Sequence, residues 1–191
     1  IVLQELAGPL NTEQAKQLGM VRDSSRHLLA LINDVLDISK IEAGELKVGR
    51  APFDPAASIQ KAISIVGPLA DKKNLQLHVE ISPDLGTMHS DARRVEQVLL
   101  NLLGNAIKFT DKGSVRLQAQ AVDDYLPAGG SETVPAVRIE VQDTGIGIPN
   151  EKQRIIFEAF QQADAGTSRK YGGTGLGLAI SRELASLLGG E

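Results

Sequence analysis

The sequence contains no cysteine and no tryptophan. The first absence excludes disulfides, thiol catalysis and thiolate metal sites, and it fits a reducing compartment. Aromatic residues make up 3% of the 191 residues against 42% hydrophobic residues overall, so any core must be aliphatic. No apolar run reaches the ~18 residues that a membrane-spanning helix needs, and the N-terminus shows no secretory pattern. A net charge of −4 leaves no basic footprint for nucleic acid. No Gly-Lys dipeptide occurs, which excludes a Walker phosphate loop. Internal repeats are also absent. The abrupt apolar start at Ile1-Val2-Leu3 and the end at Gly189-Gly190-Glu191 suggest a segment of something longer, either one domain or a domain with an appendage.

What is present is organised around Arg94–Gly113. Val95, Val98, Leu99, Leu102, Leu103, Ala106 and Ile107 recur at helical spacing and form one wide apolar face. Asn101, Asn105 and Lys108 stack at i, i+4 and i+7 beside it. Two amides and an ammonium on a helix buried over most of its girth need partners. The stripe either meets water or faces a ligand, and the helix alone leaves both open.

Upstream, Ile1–Ala7 reads as the end of a helix closed by Gly8-Pro9. Asn11 can cap a second helix, with Gln14 at the capping-box position. From Leu18 a stripe runs through Val21, Ser25, Leu28, Ile32, Val35, Ser39 and Glu42, alternating three and four residues, with Leu29 and Leu36 widening it. That spacing predicts a coiled-coil or bundle seam over Leu18–Glu42. The seam needs a cover, either a second copy of the chain or the chain's own globular part. His27, beside Leu28, reads as structural or solvated.

Gly44 ends this helix, and Glu45–Phe53 reads as an extended linker. Asp54-Pro55 starts a helix whose face is Ile59, Ala62, Ile63, Val66 and Leu69. Leu75–Ile81 alternates as a strand, and a short extended piece surrounds Met88. Gly113–Val122 and Val137–Val141 read as strands joined by an exposed loop over Asp123–Pro135. Helices with mostly antiparallel strands in this order predict an α+β fold, a two-layer sandwich.

Late in the chain come two glycine-rich segments. Asp143-Thr144-Gly145-Ile146-Gly147-Ile148-Pro149 follows a strand. It fails as a dinucleotide fingerprint, because Asn150 stands where the third glycine would be. Asp143 sits where a partly buried carboxylate could accept from a ligand N–H, and the glycines would let backbone approach a flat ring; an ordinary turn has the same composition. Gly172-Gly173-Thr174-Gly175-Leu176-Gly177 runs into a helical pattern of Leu178, Ile180, Leu184 and Leu187. A flexible loop feeding a helix N-terminus favours phosphate. Between the two, polar Gln161–Tyr171 carries Arg169 and Lys170 and reads as a mobile lid.

Together these motifs resemble those of the sensor histidine kinases, within the wider gyrase–Hsp90–MutL ATPase superfamily. Asn101/Asn105/Lys108 resembles the N box, Asp143–Ile148 the first glycine box, Phe157–Phe160 the F box, and Gly172–Ile180 the second glycine box. Leu31–Leu46 is similar to the second helix of the dimerisation hairpin and its exit. Phe160–Asp164 followed by Ser168–Ile180 is close to hybrid kinases. The resemblance implies a Bergerat-type ATP-binding sandwich over 45–191, preceded over 1–44 by part of a dimeric helical hairpin.

What the resemblance implies for the site is specific. Asp143 accepts from the adenine amino group, with Gly145, Gly147, Ile148, Phe109 and Phe160 around the nucleotide. Asn105 holds Mg²⁺ through its side-chain oxygen. Asn101 lies one turn earlier, and Lys108, Arg169 and Lys170 meet phosphate oxygens. Backbone at Gly173, Thr174, Gly175, Leu176 and Gly177 cradles the phosphates of ATP. Asn101, Asn105 and Lys108 are the expected catalytic side chains. Phosphoryl transfer then needs mainly positioning and charge neutralisation. The partners implied are a second copy of the chain and the receiver domain of a response regulator, in a cytoplasmic segment whose parent could be membrane-anchored.

The pattern has departures. The H box that carries the acceptor histidine is absent, because His27, His78 and His89 match no such motif. The strands expected after the second glycine box do not follow. Ile155 replaces the basic residue expected before the F box, with Arg154 one position early. Two other readings stand beside the kinase. One is a superfamily ATP hydrolase, disfavoured because it needs a carboxylate where Asn101 stands and an amide takes no proton at neutral pH. The other is a nucleotide-binding scaffold that dimerises without catalysis.

Overall fold

The fold is described from a computed structural model, which covers residues 2–4, 8–159 and 174–191. The chain divides into two compact units, Ile1–Glu45 and Leu46–Glu191.

The first unit is a 3₁₀ turn, Val2–Gln4, followed by one long helix, α1, Thr12–Glu42. The expected capping box is formed: the Gln14 backbone N–H donates to Asn11 Oδ1 at 2.8 Å, and the Asn11 N–H donates to Gln14 Oε1 at 3.0 Å. The other end closes as a Schellman motif. Gly44, at φ +67°, donates to Ile41 O, and the Glu45 N–H donates to Lys40 O. Within this unit the apolar stripe lies open, with Val21 61% and Leu28 59% exposed and Ile32, Val35 and Leu36 also exposed. The reading of His27 lies outside the described side chains.

In the second unit β1, Ala51–Phe53, pairs antiparallel with β3, Met88–Ser90. Helix α2, Pro55–Lys72, starts as expected, with Asp54 Oδ1 accepting from the Ala56 N–H at 2.8 Å and Pro55 in the first turn. Its buried face is Pro55, Ser58, Ile59, Ala62, Val66 and Ala70. Leu69, expected on that face, is 53% exposed. Steps of four carry the buried line from Ala62 through Val66 to Ala70, which turns Leu69 aside next to exposed Ile65.

Strand β2, Gln76–Ile81, runs parallel to β4, Ser114–Tyr125, and β4 runs antiparallel to β5, Val134–Asp143, giving the order β2-β4-β5. The parallel pair requires a crossover, supplied by β3 and helix α3, Ala92–Phe109. The hairpin loop is shorter than the predicted Asp123–Pro135. Tyr125 still pairs with Val134 across a register shift after Val122. Along β4, Val115, Leu117 and Ala119 are buried while Arg116 and Gln120 are exposed. The buried face meets Ile59 and Val66 of α2 and Leu99, Leu103 and Ile107 of α3 in one core. Helices therefore cover one side of the sheet, the two-layer α+β arrangement expected. A last helix, α4, Gly177–Leu187, packs on α3.

Candidate nucleotide site

The apolar side of α3 is buried through Val95, Leu99, Leu103, Ala106 and Ile107. That burial fixes the helix rotation and leaves Asn101, Asn105 and Lys108 half-buried along one edge. The stripe meets another helix as well as water. Asn101 Nδ2 donates to the Ser181 hydroxyl of α4 at 2.7 Å, and Asn105 Nδ2 donates to Asn101 Oδ1 at 3.3 Å. Helix α4 can approach this closely because residue 177 is glycine. A β-carbon there would overlap the Asn101 side-chain amide.

The start of α4 presents backbone donors. No side chain caps it, and the Leu176 N–H is taken by Thr174 Oγ1 at 3.1 Å. Leu176 itself is buried and pins the loop, while Gly175 takes a left-handed φ of +73°. An uncapped first turn carries unpaired N–H groups and the positive end of the helix dipole. Such an end favours phosphate, and it lies against Asn101.

At the far end of α3, the turn after β5 is locked in place. The Ile146 N–H donates to Phe109 O at 3.3 Å, the Thr144 N–H donates to Ser114 O at 3.1 Å, and Thr144 Oγ1 accepts from the Ser114 N–H at 3.0 Å. A β-carbon on Gly145 would stand 2.5 Å from Phe109 O, so only glycine allows this contact. Asp143, the last residue of β5, is exposed and not partly buried as expected, because the strand ends at the rim of the sheet. One of its oxygens accepts from the Gly145 N–H at 2.8 Å. That bond fixes the carboxylate's orientation and leaves its other oxygen to accept elsewhere. Lys108 has its ammonium 4.8 Å from the centroid of the Phe109 ring, and burial pushes its pKa below the ordinary lysine value. Ile148 is exposed just beyond the turn.

Sequence reasoning missed Lys73 and Ser181. Lys73 caps α2, which closes through Asn74 at φ +53°. Its ammonium donates to three backbone carbonyls at the end of α3, Ile107 O at 2.8 Å, Lys108 O at 2.8 Å and Thr110 O at 3.1 Å. A cation at a helix C-terminus is favourable, and here it fixes the stretch to which the glycine turn is docked. No local pattern marks a lysine whose partners lie more than thirty residues away. Ser181 carried a readable signal: a hydroxyl between Ile180 and Leu184 on a buried helix face needs a partner.

Thus α3 brings Asn101, Asn105, Lys108 and Phe109 along one edge, with the Asp143–Gly147 turn at one end and Thr174–Gly177 beside the other. Phe160, Arg169, Lys170 and Gly173, and the predicted lid over Gln161–Tyr171, lie outside the described residues. Among the described residues no cluster of His, Cys, Asp or Glu could hold a metal. An ion here would depend on the Asn105 amide oxygen and on phosphate oxygens of a nucleotide. That donor set is all oxygen and suits magnesium.

Comparison with known proteins gives two family matches. Residues 90–191 match the histidine kinase-, DNA gyrase B- and HSP90-like ATPases, and residues 2–44 match the His Kinase A (phospho-acceptor) domain. The sensory/regulatory protein RpfC of Xanthomonas campestris pv. campestris is 40% identical over 95% of this chain and 24% of its own length. The signal transduction histidine-protein kinase BarA of Escherichia coli is 38% identical over 95% of this chain and 19% of its own. The chain therefore spans a quarter or less of these relatives. Among solved structures, full-length ShkA in complex with AMPPNP is 36% identical with a TM-score of 0.74, covering 95% of this chain and 35% of that one. The catalytic domain of histidine kinase ThkA is 26% identical with a TM-score of 0.55, covering 73% of this chain and 82% of that one.

Proposed function

From the premise that this chain belongs to the histidine kinase-, DNA gyrase B- and HSP90-like ATPases, we propose that it is the ATP-binding kinase module of a two-component sensor histidine kinase. It transfers the γ-phosphate to a histidine outside this chain, for relay to a receiver aspartate. The observation that carries the reading is the junction of Asn101, Gly177 and Ser181. It sets an uncapped helix N-terminus against the amide stripe of α3, whose other end holds the Asp143 turn.

The chemistry divides along α3. Asp143 selects adenine by accepting from its amino group, with Phe109, Gly145, Gly147, Ile148 and Phe160 around the base. Asn105 presents the magnesium-binding oxygen. When bound, Mg²⁺ neutralises phosphate charge and holds the transferred group in line. Lys108, Arg169 and Lys170 add positive charge, and backbone at Gly173, Thr174, Gly175, Leu176 and Gly177 seats the phosphates. A water-activating role for Asn101 is disfavoured on chemistry and on geometry. Its amide is no base, and both of its ends already bond within the chain. That argues against the hydrolase. The intact set of ATP-directed groups argues against a mere scaffold.

Residues 1–44 form part of a dimerisation hairpin, and 45–191 the catalytic domain. The open stripe on α1 supports a homodimer through Leu18–Glu42. Light scattering over a concentration series is expected to show monomer–dimer exchange, and Ile32→Asp to shift it to monomer. A monomer at every concentration would refute the seam. No helix among the described residues is long and apolar enough to cross a membrane. A kinase that draws on ATP works where ATP is kept, which places this segment in the cytoplasm.

The experiment for transfer uses γ-labelled ATP. The chain alone is expected to form no phosphohistidine, because in-line placement of an acceptor is missing. A longer form carrying an H box and Asn105→Ala takes up label in the mixture where transfer crosses between subunits. Where transfer stays within one subunit, only the intact protein labels. Acid-labile label on His27 of the chain alone contradicts the reading.

A further inference from the structure

We propose that Ser181 is a positioning residue for the magnesium-binding amide, acting through Asn101; this rests on the nucleotide-site reading above. A carboxamide accepts at its oxygen and donates at its nitrogen, so fixing one end fixes the other. Ser181 Oγ accepts from Asn101 Nδ2 at 2.7 Å, which sets Asn101 Oδ1 on the side of Gly177, at the first turn of α4. That oxygen accepts from Asn105 Nδ2 at 3.3 Å. With its nitrogen engaged, the Asn105 amide presents its oxygen at the opposite side. Oxygen is the atom a magnesium ion requires, and an NH₂ group turned there would repel it.

The relay runs in one sense only because of its anchor. Ser181 is 6% exposed, so no bulk water stands in for its hydroxyl. The close approach at Gly177, one turn earlier on the same face of α4, confines the Asn101 side chain from a second side. Without the hydroxyl, Asn101 can rotate its amide and set donor against donor at Asn105, which drives Asn105 to turn as well. Helix α4 therefore supplies phosphate-facing backbone at its first turn and sets the metal ligand from its second. Asn101 is, in this arrangement, also a positioning residue.

The test measures binding of a non-hydrolysable ATP analogue by calorimetry, once with Mg²⁺ and once with chelator, in the unmodified chain, Ser181→Ala and Ser181→Thr. In Ser181→Ala the apparent Mg²⁺ affinity is expected to fall about tenfold, the lower end of what outer-sphere partners of metal ligands contribute. Binding without metal stays unchanged, and Ser181→Thr keeps the unmodified behaviour. Ser181→Cys, close in size and a poor acceptor, gives the same readout should the alanine variant fail to fold. A wild-type Mg²⁺ effect in Ser181→Ala overturns the proposal, as does equal loss with and without metal, which would mark a packing role. An unmodified chain whose nucleotide binding ignores Mg²⁺ overturns the site reading along with it.

Discussion

Asp143→Ala is expected to weaken ATP binding by one to two orders of magnitude while leaving the fold intact. The carboxylate is exposed at the end of β5, so its removal uncovers no core and leaves no buried charge. Two bonds disappear. One is the proposed acceptor for the adenine amino group; a hydrogen bond to a charged partner is worth about 1.5–3 kcal/mol. The other is the Gly145 N–H bond at 2.8 Å that orients the turn. Asp143→Asn keeps an acceptor for Gly145 and loses the charge, so its loss should be smaller. Calorimetric affinity with thermal denaturation as the control separates binding from folding. Undiminished affinity in Asp143→Ala would remove adenine recognition from this turn.

Gly177→Ala should act in the opposite direction from the usual helix rule. Replacing glycine by alanine in a helix ordinarily stabilises, by about 0.4–1 kcal/mol at a compatible position. At Gly177 the added carbon overlaps the Asn101 amide, itself held by Ser181 and Asn105. Forcing such a contact typically costs about 1–3 kcal/mol, or roughly 2–12 °C of melting temperature for a domain near this size. Gly104→Ala is the matched control. It lies in α3 itself, with nothing within 4 Å of an added carbon, and should raise the melting temperature. Equal shifts in the two variants would mean that α3 and α4 are not packed as described.

How much of this was readable in advance depended on how local each signal is. Helix ends were legible because their partners lie two or three residues away. Asn11 with Gln14, Asp54 with Ala56 and Gly44 with Ile41 all follow from a few adjacent residues. The polar stripe of α3 was legible as a pattern, but which amide faces what was not, since Ser181 lies eighty residues away. Separations of more than thirty residues likewise hid the partners of Lys73 and the pairing of β1 with β3. Leu69 misled because one residue of helical drift decides between the core and water. The hairpin was drawn too long because Asp123, Asp124 and Pro135 are turn-formers by composition, yet the ladder closes again at Tyr125 and Val134.

Central to the proposed function is one site in which the Asp143 turn, the Asn105 amide and the Gly175–Gly177 loop together hold Mg·ATP. Its most direct measurement is a calorimetric titration of the folded 191-residue chain with ATP, with and without Mg²⁺, beside Asn105→Ala. The expected dissociation constant is roughly micromolar to sub-millimolar, about −5 to −8 kcal/mol. Mg²⁺ should tighten it, and that tightening should vanish in Asn105→Ala. A folded chain that gives no binding signal, or an Asn105→Ala variant that keeps the full magnesium effect, would contradict the account.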